Sequence, residues 1–85
     1  MSYEIRFTPA SVRDIRKLST LDQEKVLKKI SELEETPRPA GSLKLRNAED
    51  LFRIRTGDLR IIYQIHDDHL LMVIIRIARR DKVYR

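Results

Sequence analysis

Three arginines flank one tight turn in the middle of the chain, and their side chains are well suited to binding an anion. Residues 51–65 are typical of two strands joined by Gly57-Asp58, because glycine adopts a positive φ at no steric cost and aspartate bonds its own backbone in turns. A two-residue loop places Arg55 opposite Arg60, and Arg53 shares their face because side chains two apart point the same way. The opposite face then carries Phe52, Ile54 and Ile61.

This stacking of like charges favours a binding function. Charges of one sign directly opposite each other destabilise a sheet. The planar guanidinium of arginine matches phosphate oxygens bidentately and keeps its charge. We therefore interpret Arg53, Arg55 and Arg60 as a preformed anion site. The alternative is a basic face that is simply solvated.

The N-terminal half predicts one strand and two helices that would support this hairpin. Alternation over residues 3–7 predicts the strand. Thr8 is expected to cap the first helix, with Pro9 at its first position, and the helix should run to about Leu18.

The second helix is expected to follow at once. Thr20 with Gln23 three residues later fits a capping box, and Pro37 should end the helix near Glu35 or Thr36. Its apolar residues recur at helical spacing. They are Val26, Leu27, Ile30 and Leu33.

The C-terminal half predicts further strands. Residues 43–46 are expected to form a short strand, 66–69 a turn, 70–77 a central strand buried on both faces and 83–85 a short edge strand. Together these elements predict one α+β domain over residues 1–85, in the order β-α-α-β-β-β, with a helical hairpin packed on a mainly antiparallel sheet of four or five strands. Since two helices cover only one face, the apolar residues on the other suggest a groove or a bound partner.

Composition narrows the class of protein. The 85 residues suit a single domain, and the absence of cysteine excludes disulfides and thiol chemistry. The longest apolar run, residues 70–75, is far shorter than a membrane span, and from the charged N-terminus we expect no signal peptide. We expect a soluble, cytoplasmic protein that does not bind a membrane. Of its net charge of +5, most falls in residues 43–85, which suits nucleic acid or an acidic protein partner.

The chain offers little of the usual chemistry of acid–base or metal sites. His66 and His69 have His-x-x-His spacing, but they lie in a predicted turn, and the sequence shows no paired carboxylates or histidine acid–base arrangement. We therefore expect neither a metal nor a cofactor.

Three segments in this order and spacing resemble the RelE/ParE superfamily of toxins from bacterial and archaeal toxin–antitoxin pairs. They are FRIR at 52–55, LRIIY at 59–63 and RRDKVY at 79–84, and the likeness covers nearly the whole chain. RelE-like members cut mRNA in the ribosomal A site without a metal, whereas ParE-like members poison gyrase. The likeness to RelE implies a catalytic set, which in this chain comprises Arg53, Arg55, Arg60, Arg80 and Tyr84.

The resemblance also implies partners. These are a RelB-like antitoxin, the 30S A site of the ribosome with its mRNA, and operator DNA only through the antitoxin complex. Basic residues near the catalytic set are expected to contact RNA or the ribosome. They are Lys44, Arg46, Arg79 and Lys82.

One departure from the family concerns the general base. Well-characterised members carry lysines where this chain has Arg53 and Arg55, and arginine effectively never deprotonates. The proton of the RNA 2′-hydroxyl must then leave with help from Tyr84 or the RNA environment, or catalysis must rest on charge stabilisation and positioning.

Overall fold

The computed structural model describes residues 2–45 and 50–79, in which two helices lie against one face of a five-stranded sheet. In chain order the elements are β1 Glu4–Phe7, α1 Pro9–Arg16, α2 Thr20–Glu35, β2 Leu43–Lys44, β3 Leu51–Thr56, β4 Leu59–His66, a 3₁₀ turn Asp67–His69 and β5 Leu71–Arg79. The strands lie in the order β1-β5-β4-β3-β2, with β1 parallel to β5 and the other pairs antiparallel. The predicted α+β architecture is confirmed.

The first helix starts as predicted and ends slightly earlier. The Thr8 hydroxyl accepts a hydrogen bond from the backbone N–H of Ser11 at 3.1 Å, and Pro9 is the first helical residue. The chain then tightens, since Lys17 and Leu18 donate to carbonyls only three residues earlier, which ends α1 at Arg16. Leu18 still packs against the core.

The predicted cap of the second helix is wrong by one residue. Ser19 is the N-cap, with its hydroxyl accepting from the N–H of Asp22 at 3.1 Å, and Thr20 is the first helical residue. Gln23 makes no capping box; its amide donates instead to the carbonyls of Ile15 and Leu18 at 3.0 and 3.3 Å, which ties the two helices together. The predicted end at Glu35 is confirmed. No helix in the described part of the chain is both long and apolar enough to cross a membrane.

The hydrophobic core lies between α2 and the inner face of the sheet. Phe52 stacks on Tyr63 with ring centroids 5.9 Å apart, and Tyr63 is fully buried. Three strands and α2 supply the residues of this core cluster, namely Val26, Ile30, Leu33, Phe52, Ile54, Leu59, Ile61, Tyr63, Ile65, Met72, Ile74 and Ile77. The hairpin is therefore fixed to the core through one face, while on its other face Arg55 is exposed, Arg53 and Arg60 are half-buried and Ile62 is buried.

The C-terminal strand differs from the prediction in detail. Strand β5 runs over Leu71–Arg79, and only one of its faces is buried; Leu71, Val73 and Ile75 are partly exposed on the other, because both helices lie on one side. Leu70 adopts a left-handed conformation (φ 49°) that closes the 3₁₀ turn before the strand. The predicted edge strand over 83–85 lies outside the described residues.

A β-bulge changes the phase of β5. Tyr63 pairs with Ile74 while Ile62 pairs with Arg76, so Ile75 has no partner across the ladder. Helix α1 anchors the bulge: the Thr8 hydroxyl donates to the Ile75 carbonyl at 2.8 Å.

Asp14 of α1 fastens the strand just beyond the bulge. Its carboxylate accepts from the N–H of Ile77 at 2.9 Å and from the Arg76 guanidinium at 2.8 Å. Beyond these contacts Ala78 lies opposite Arg60, on the outer face of the sheet.

Candidate phosphate-binding site

The hairpin has the register that the sequence predicts. Arg55 lies opposite Arg60, and Ile54 lies opposite Ile61. Gly57 has a φ of 63°, as a two-residue loop requires, and has open space around it. Arg53, Arg55 and Arg60 therefore share the sheet face that points away from the helices, which confirms the predicted arrangement.

The three arginines converge on one pocket of about 390 Å³. Residues directly opposite in an antiparallel pair have Cβ atoms about 4.5–5.5 Å apart, and residues two apart along a strand lie about 6.6 Å apart. From these positions the long arginine side chains can reach a common phosphate group in the pocket. The pocket is lined by Lys29, Ala40, Gly41, Leu43, Arg53, Ile54, Arg55 and Arg60.

Lys29 is a site residue that sequence reasoning missed. Helical spacing assigns it only to the outer side of α2, yet it lines the arginine pocket, and 28% of its side chain is exposed. Its ammonium group forms an ion pair with Glu32 at 3.2 Å. A signal existed in the sequence: Lys25 and Lys29 are like charges at i,i+4, which destabilise a helix slightly. Lys29 makes the pocket a cluster of four cationic side chains.

The connector between α2 and β2 forms another wall of the pocket, and an ion pair holds it in place. The Arg38 guanidinium binds both carboxylate oxygens of Asp67, at 3.2 and 2.8 Å, and lies 5.1 Å from the centre of the Phe52 ring. The Tyr3 hydroxyl donates to the same carboxylate at 2.6 Å. Hydrogen bonds from Arg38 and Tyr3 hold the pKa of Asp67 below its ordinary value.

Two of the residues expected to bind RNA lie away from the arginine face. Lys44 pairs opposite Phe52, so it belongs to the sheet face that Phe52 occupies. Arg79 pairs opposite Leu59 on the helix side of the sheet. Its guanidinium forms ion pairs with Asp22 of α2 at 2.9 Å and with Asp58 of the hairpin turn at 3.1 Å.

Part of the predicted site lies outside the described residues. This holds for Arg80 and Tyr84 of the catalytic set and for Arg46 and Lys82 of the predicted RNA contacts. The structure thus brings together Arg53, Arg55 and Arg60.

The pocket can bind a phosphodiester and stabilise extra negative charge on it. Charge-assisted hydrogen bonds from guanidinium groups to phosphate are short and directional. Donors aimed in advance at a developing charge are the largest single contribution in many enzymes. Within residues 2–45 and 50–79 no cluster of three or more potential metal ligands occurs. His66 bonds the side chain of Gln64 at 2.9 Å, and His69 lies exposed beside Asp68.

Comparison with protein families finds a match over residues 5–84 to the family described as ParE toxin of type II toxin-antitoxin system, parDE. Toxin RelG of Mycobacterium tuberculosis is 33% identical over 86 residues, which cover 100% of this chain and 99% of the relative. The mRNA interferase toxin RelE of Escherichia coli is 30% identical over 84 residues, 96% of this chain and 87% of the relative.

Solved structures show the same fold. The isolated E. coli RelE toxin superposes with a TM-score of 0.83 at 26% identity, covering 96% of this chain and 88% of that one. A chain of the M. tuberculosis toxin–antitoxin complex RelBE2 gives a TM-score of 0.81 at 31% identity, covering 94% and 100%. The chain therefore has the same fold as these toxins, as the sequence predicts.

Proposed function

The chain belongs to the ParE toxin family of type II toxin–antitoxin systems and is RelE-like, and from this we propose that it is an endoribonuclease that cleaves mRNA in the ribosomal A site. One observation carries the proposal: Arg53, Arg55 and Arg60 converge with Lys29 on a single pocket. A toxin that acts only by binding a protein has no need for four cationic side chains along one cavity.

The proposed reaction is attack of the RNA 2′-oxygen on the adjacent phosphorus. The 2′-oxygen forms a bond to phosphorus while the bond to the 5′-oxygen breaks, which leaves a 2′,3′-cyclic phosphate and a 5′-hydroxyl. The 2′-hydroxyl loses its proton and the leaving oxygen gains one. Negative charge builds on the non-bridging phosphate oxygens, and the guanidinium groups of Arg53, Arg55 and Arg60 stabilise it.

The site is less well equipped for proton transfer than for stabilising negative charge. Arginine does not deprotonate near neutral pH, so Arg53 and Arg55 act by charge and position. In the proposal Arg80 stabilises the charge on the leaving oxygen and in this way helps its protonation, and Tyr84 orients or stacks the substrate and can assist removal of the 2′-proton. A site without a pKa-matched base is slow on free RNA. The ribosome then contributes by holding the mRNA in a geometry that favours in-line attack.

The proposed partners follow from the relatives. Solved relatives include complexes of RelE with RelB antitoxin from E. coli and Pyrococcus horikoshii. We expect a cognate RelB-like antitoxin that covers the basic face, and contact with operator DNA only through that complex. The ribosome and mRNA are the proposed targets, which places the action in the cytoplasm.

A double substitution tests the proposal directly. Arg55→Ala/Arg60→Ala removes two of the convergent donors and should reduce translation-dependent cleavage of a reporter mRNA, mapped by primer extension. Loss of one oxyanion donor typically costs about 10²–10³ in rate, so the double variant should be essentially inactive. The control is Arg6→Ala, since Arg6 lies exposed on the far edge strand and contacts Glu4. Wild-type levels of cleavage by Arg55→Ala/Arg60→Ala would refute this site.

The second candidate function is inhibition of gyrase, and the name of the matching family favours it. A gyrase toxin leaves mRNA intact and inhibits DNA supercoiling in vitro. If the wild-type protein is toxic without cutting mRNA, and Arg55→Ala/Arg60→Ala remains toxic, the ribonuclease proposal fails. Inhibition of gyrase then becomes the proposed function.

A further inference from the structure

A second basic concavity lies beside the arginine pocket. It has a volume of about 330 Å³ and lies between α2 and the tip of the hairpin. Its lining consists of Lys25, Lys28, Lys29, Glu32, Thr56 and Gly57. We call it the lysine groove. Lys29 lines both cavities, so the lysine groove adjoins the site proposed for the scissile phosphate.

Two acidic groups at this end of α2 and in the hairpin turn are already paired with a cation outside the lysine groove. Arg79 binds the carboxylates of Asp22 and Asp58, at 2.9 and 3.1 Å. Glu32 is the only carboxylate among the lining residues, and it pairs with Lys29 at 3.2 Å. Lys25 and Lys28 are both exposed, and together they outnumber Glu24, the exposed carboxylate one helical turn before Lys28.

The spacing of these lysines suits a linear polyanion. Lys25 lies one helical turn from Lys28 and Lys29, and side chains three or four apart on a helix have Cβ atoms about 5–6 Å apart. Each pair is a repulsion that an isolated helix would avoid. A chain of phosphates relieves this repulsion at several points, whereas a single small anion needs only the arginine pocket.

We propose that the lysine groove binds the phosphate backbone of the mRNA next to the scissile phosphate. This inference rests on the proposed function, since it takes the arginine pocket as the place of cleavage. The lysines contribute affinity without sequence preference, because contacts to phosphate carry no base information. Arg79 supports this groove indirectly by neutralising Asp22 and Asp58.

The test measures how RNA affinity depends on salt. The probe is a single-stranded, fully 2′-O-methylated RNA of 12 nucleotides and mixed sequence, which the toxin cannot cut, and binding is followed by fluorescence anisotropy between 50 and 300 mM KCl. The variant is Lys25→Gln/Lys28→Gln, which leaves Lys29 in place. The matched control is Arg13→Gln/Lys17→Gln, which removes two exposed charges from α1 and its C-cap.

The expected result follows from counterion release. Each phosphate contact to a single strand contributes about 0.7 to the slope of log K against log salt, so the loss of two contacts lowers the slope by about 1.4. At 0.1 M salt the same relation gives roughly 25-fold weaker binding. The control variant should change the affinity by less than about threefold, because its charges lie away from the groove.

The other outcomes overturn the inference. Equal slopes for the lysine variant and its control mean that the groove does not bind the message. A defect seen only in binding to ribosomal subunits, or only in binding to antitoxin, assigns the lysines to ribosomal RNA or to the antitoxin instead. The proposed function is tested separately by cleavage: a reduced slope with no cleavage by the wild type keeps the RNA groove and refutes the nuclease.

Discussion

At the scale of single residues, the arginine pair across the hairpin sets binding against stability. Arg55 and Arg60 are directly opposite each other in the ladder. Like charges in this position destabilise a sheet, and a favourable cross-strand pair contributes about 0.2–1 kcal/mol relative to a neutral one. The chain nevertheless places two like charges side by side at a pocket suited to phosphate. This is expected where binding an anion matters more than the local stability of the sheet.

This conflict predicts a variant that is more stable and inactive. Arg55→Thr removes the repulsion and introduces a β-branched residue that suits a strand. We expect its free energy of unfolding in urea to rise by about 0.5–1 kcal/mol, while mRNA cleavage falls at least about 100-fold. Arg6→Thr is the matched control, because Arg6 lies opposite Val73 and pairs with Glu4. A less stable Arg55→Thr protein would contradict the argument.

Arg60 offers a sharper test of geometry at constant charge. Arg60→Lys keeps the positive charge but loses the planar fork that binds two phosphate oxygens at once. We expect single-turnover cleavage in a translating extract to fall by about tenfold or more, though by less than the 10²–10³-fold typical of losing a donor altogether. Undiminished cleavage would show that charge alone suffices at this position.

At the scale of the elements, α1 acts as the anchor of the β5 bulge. Thr8 makes two contacts with one hydroxyl: it accepts from the N–H of Ser11 and donates to the carbonyl of Ile75. Asp14 binds the backbone just beyond the bulge. The helix thus helps to fix which residue of β5 lies opposite Arg60. Residues of α1 far from the pocket therefore help to shape the sheet face that carries the pocket.

This double role of Thr8 gives a stability prediction. Thr8→Ala loses the N-cap and the bond to the sheet, whereas Ser19→Ala loses only the N-cap of α2. An N-cap is worth about 1 kcal/mol and a further hydrogen bond about another 1 kcal/mol. We expect Thr8→Ala to lower the free energy of unfolding by about 2 kcal/mol and Ser19→Ala by about 1 kcal/mol, measured in urea. Equal losses would mean that the bond to Ile75 contributes nothing.

The elements also show what the sequence could predict. Strong local signals gave the hairpin register, the cap at Thr8 and the end of α2, because Gly57, Pro9 and Pro37 act within a few residues. The choice between Ser19 and Thr20 as cap depends on which backbone stays extended, and both residue types suit the position. The bulge at Ile75 is held by contacts with residues at α1, which are distant in sequence, so no local pattern predicts it.

At the scale of the whole molecule, the site too could be predicted from the sequence only where a local pattern determines it. The three arginines could be predicted because one hairpin carries them. The placement of Lys29 in their pocket depends on how α2 packs against β3, and pattern alone assigns it to the outer surface. Arg79 lies in a charged segment, and only the fold shows that it joins α2 to the hairpin turn. Lys44 and Arg79 therefore need separate tests as RNA contacts.

Ion pairs between distant parts of the chain also set how the fold responds to acid. Burial raises the pKa of Asp14, but the hydrogen bonds from Arg76 and from the N–H of Ile77 lower this pKa by a larger amount. The folded pKa therefore lies below the ordinary 3.8. As pH falls below about 3.8, the unfolded chain takes up this proton before the folded one does. The stabilisation from Asp14 is therefore present above that pH and is lost below it.

Asp14→Asn should remove this contribution at neutral pH and also remove its pH dependence. We expect the variant to be less stable than the wild type at pH 7, with the difference in free energy of unfolding shrinking between pH 5 and pH 3. Urea titrations at pH 7, 5 and 3 measure it, with Asp68→Asn as a control because Asp68 is exposed and lies 3.6 Å from the side chain of the neighbouring His69. A difference that stays constant down to pH 3 would show that the bond from Asp14 to β5 does not depend on its charge, and that packing of α1 alone holds the bulge.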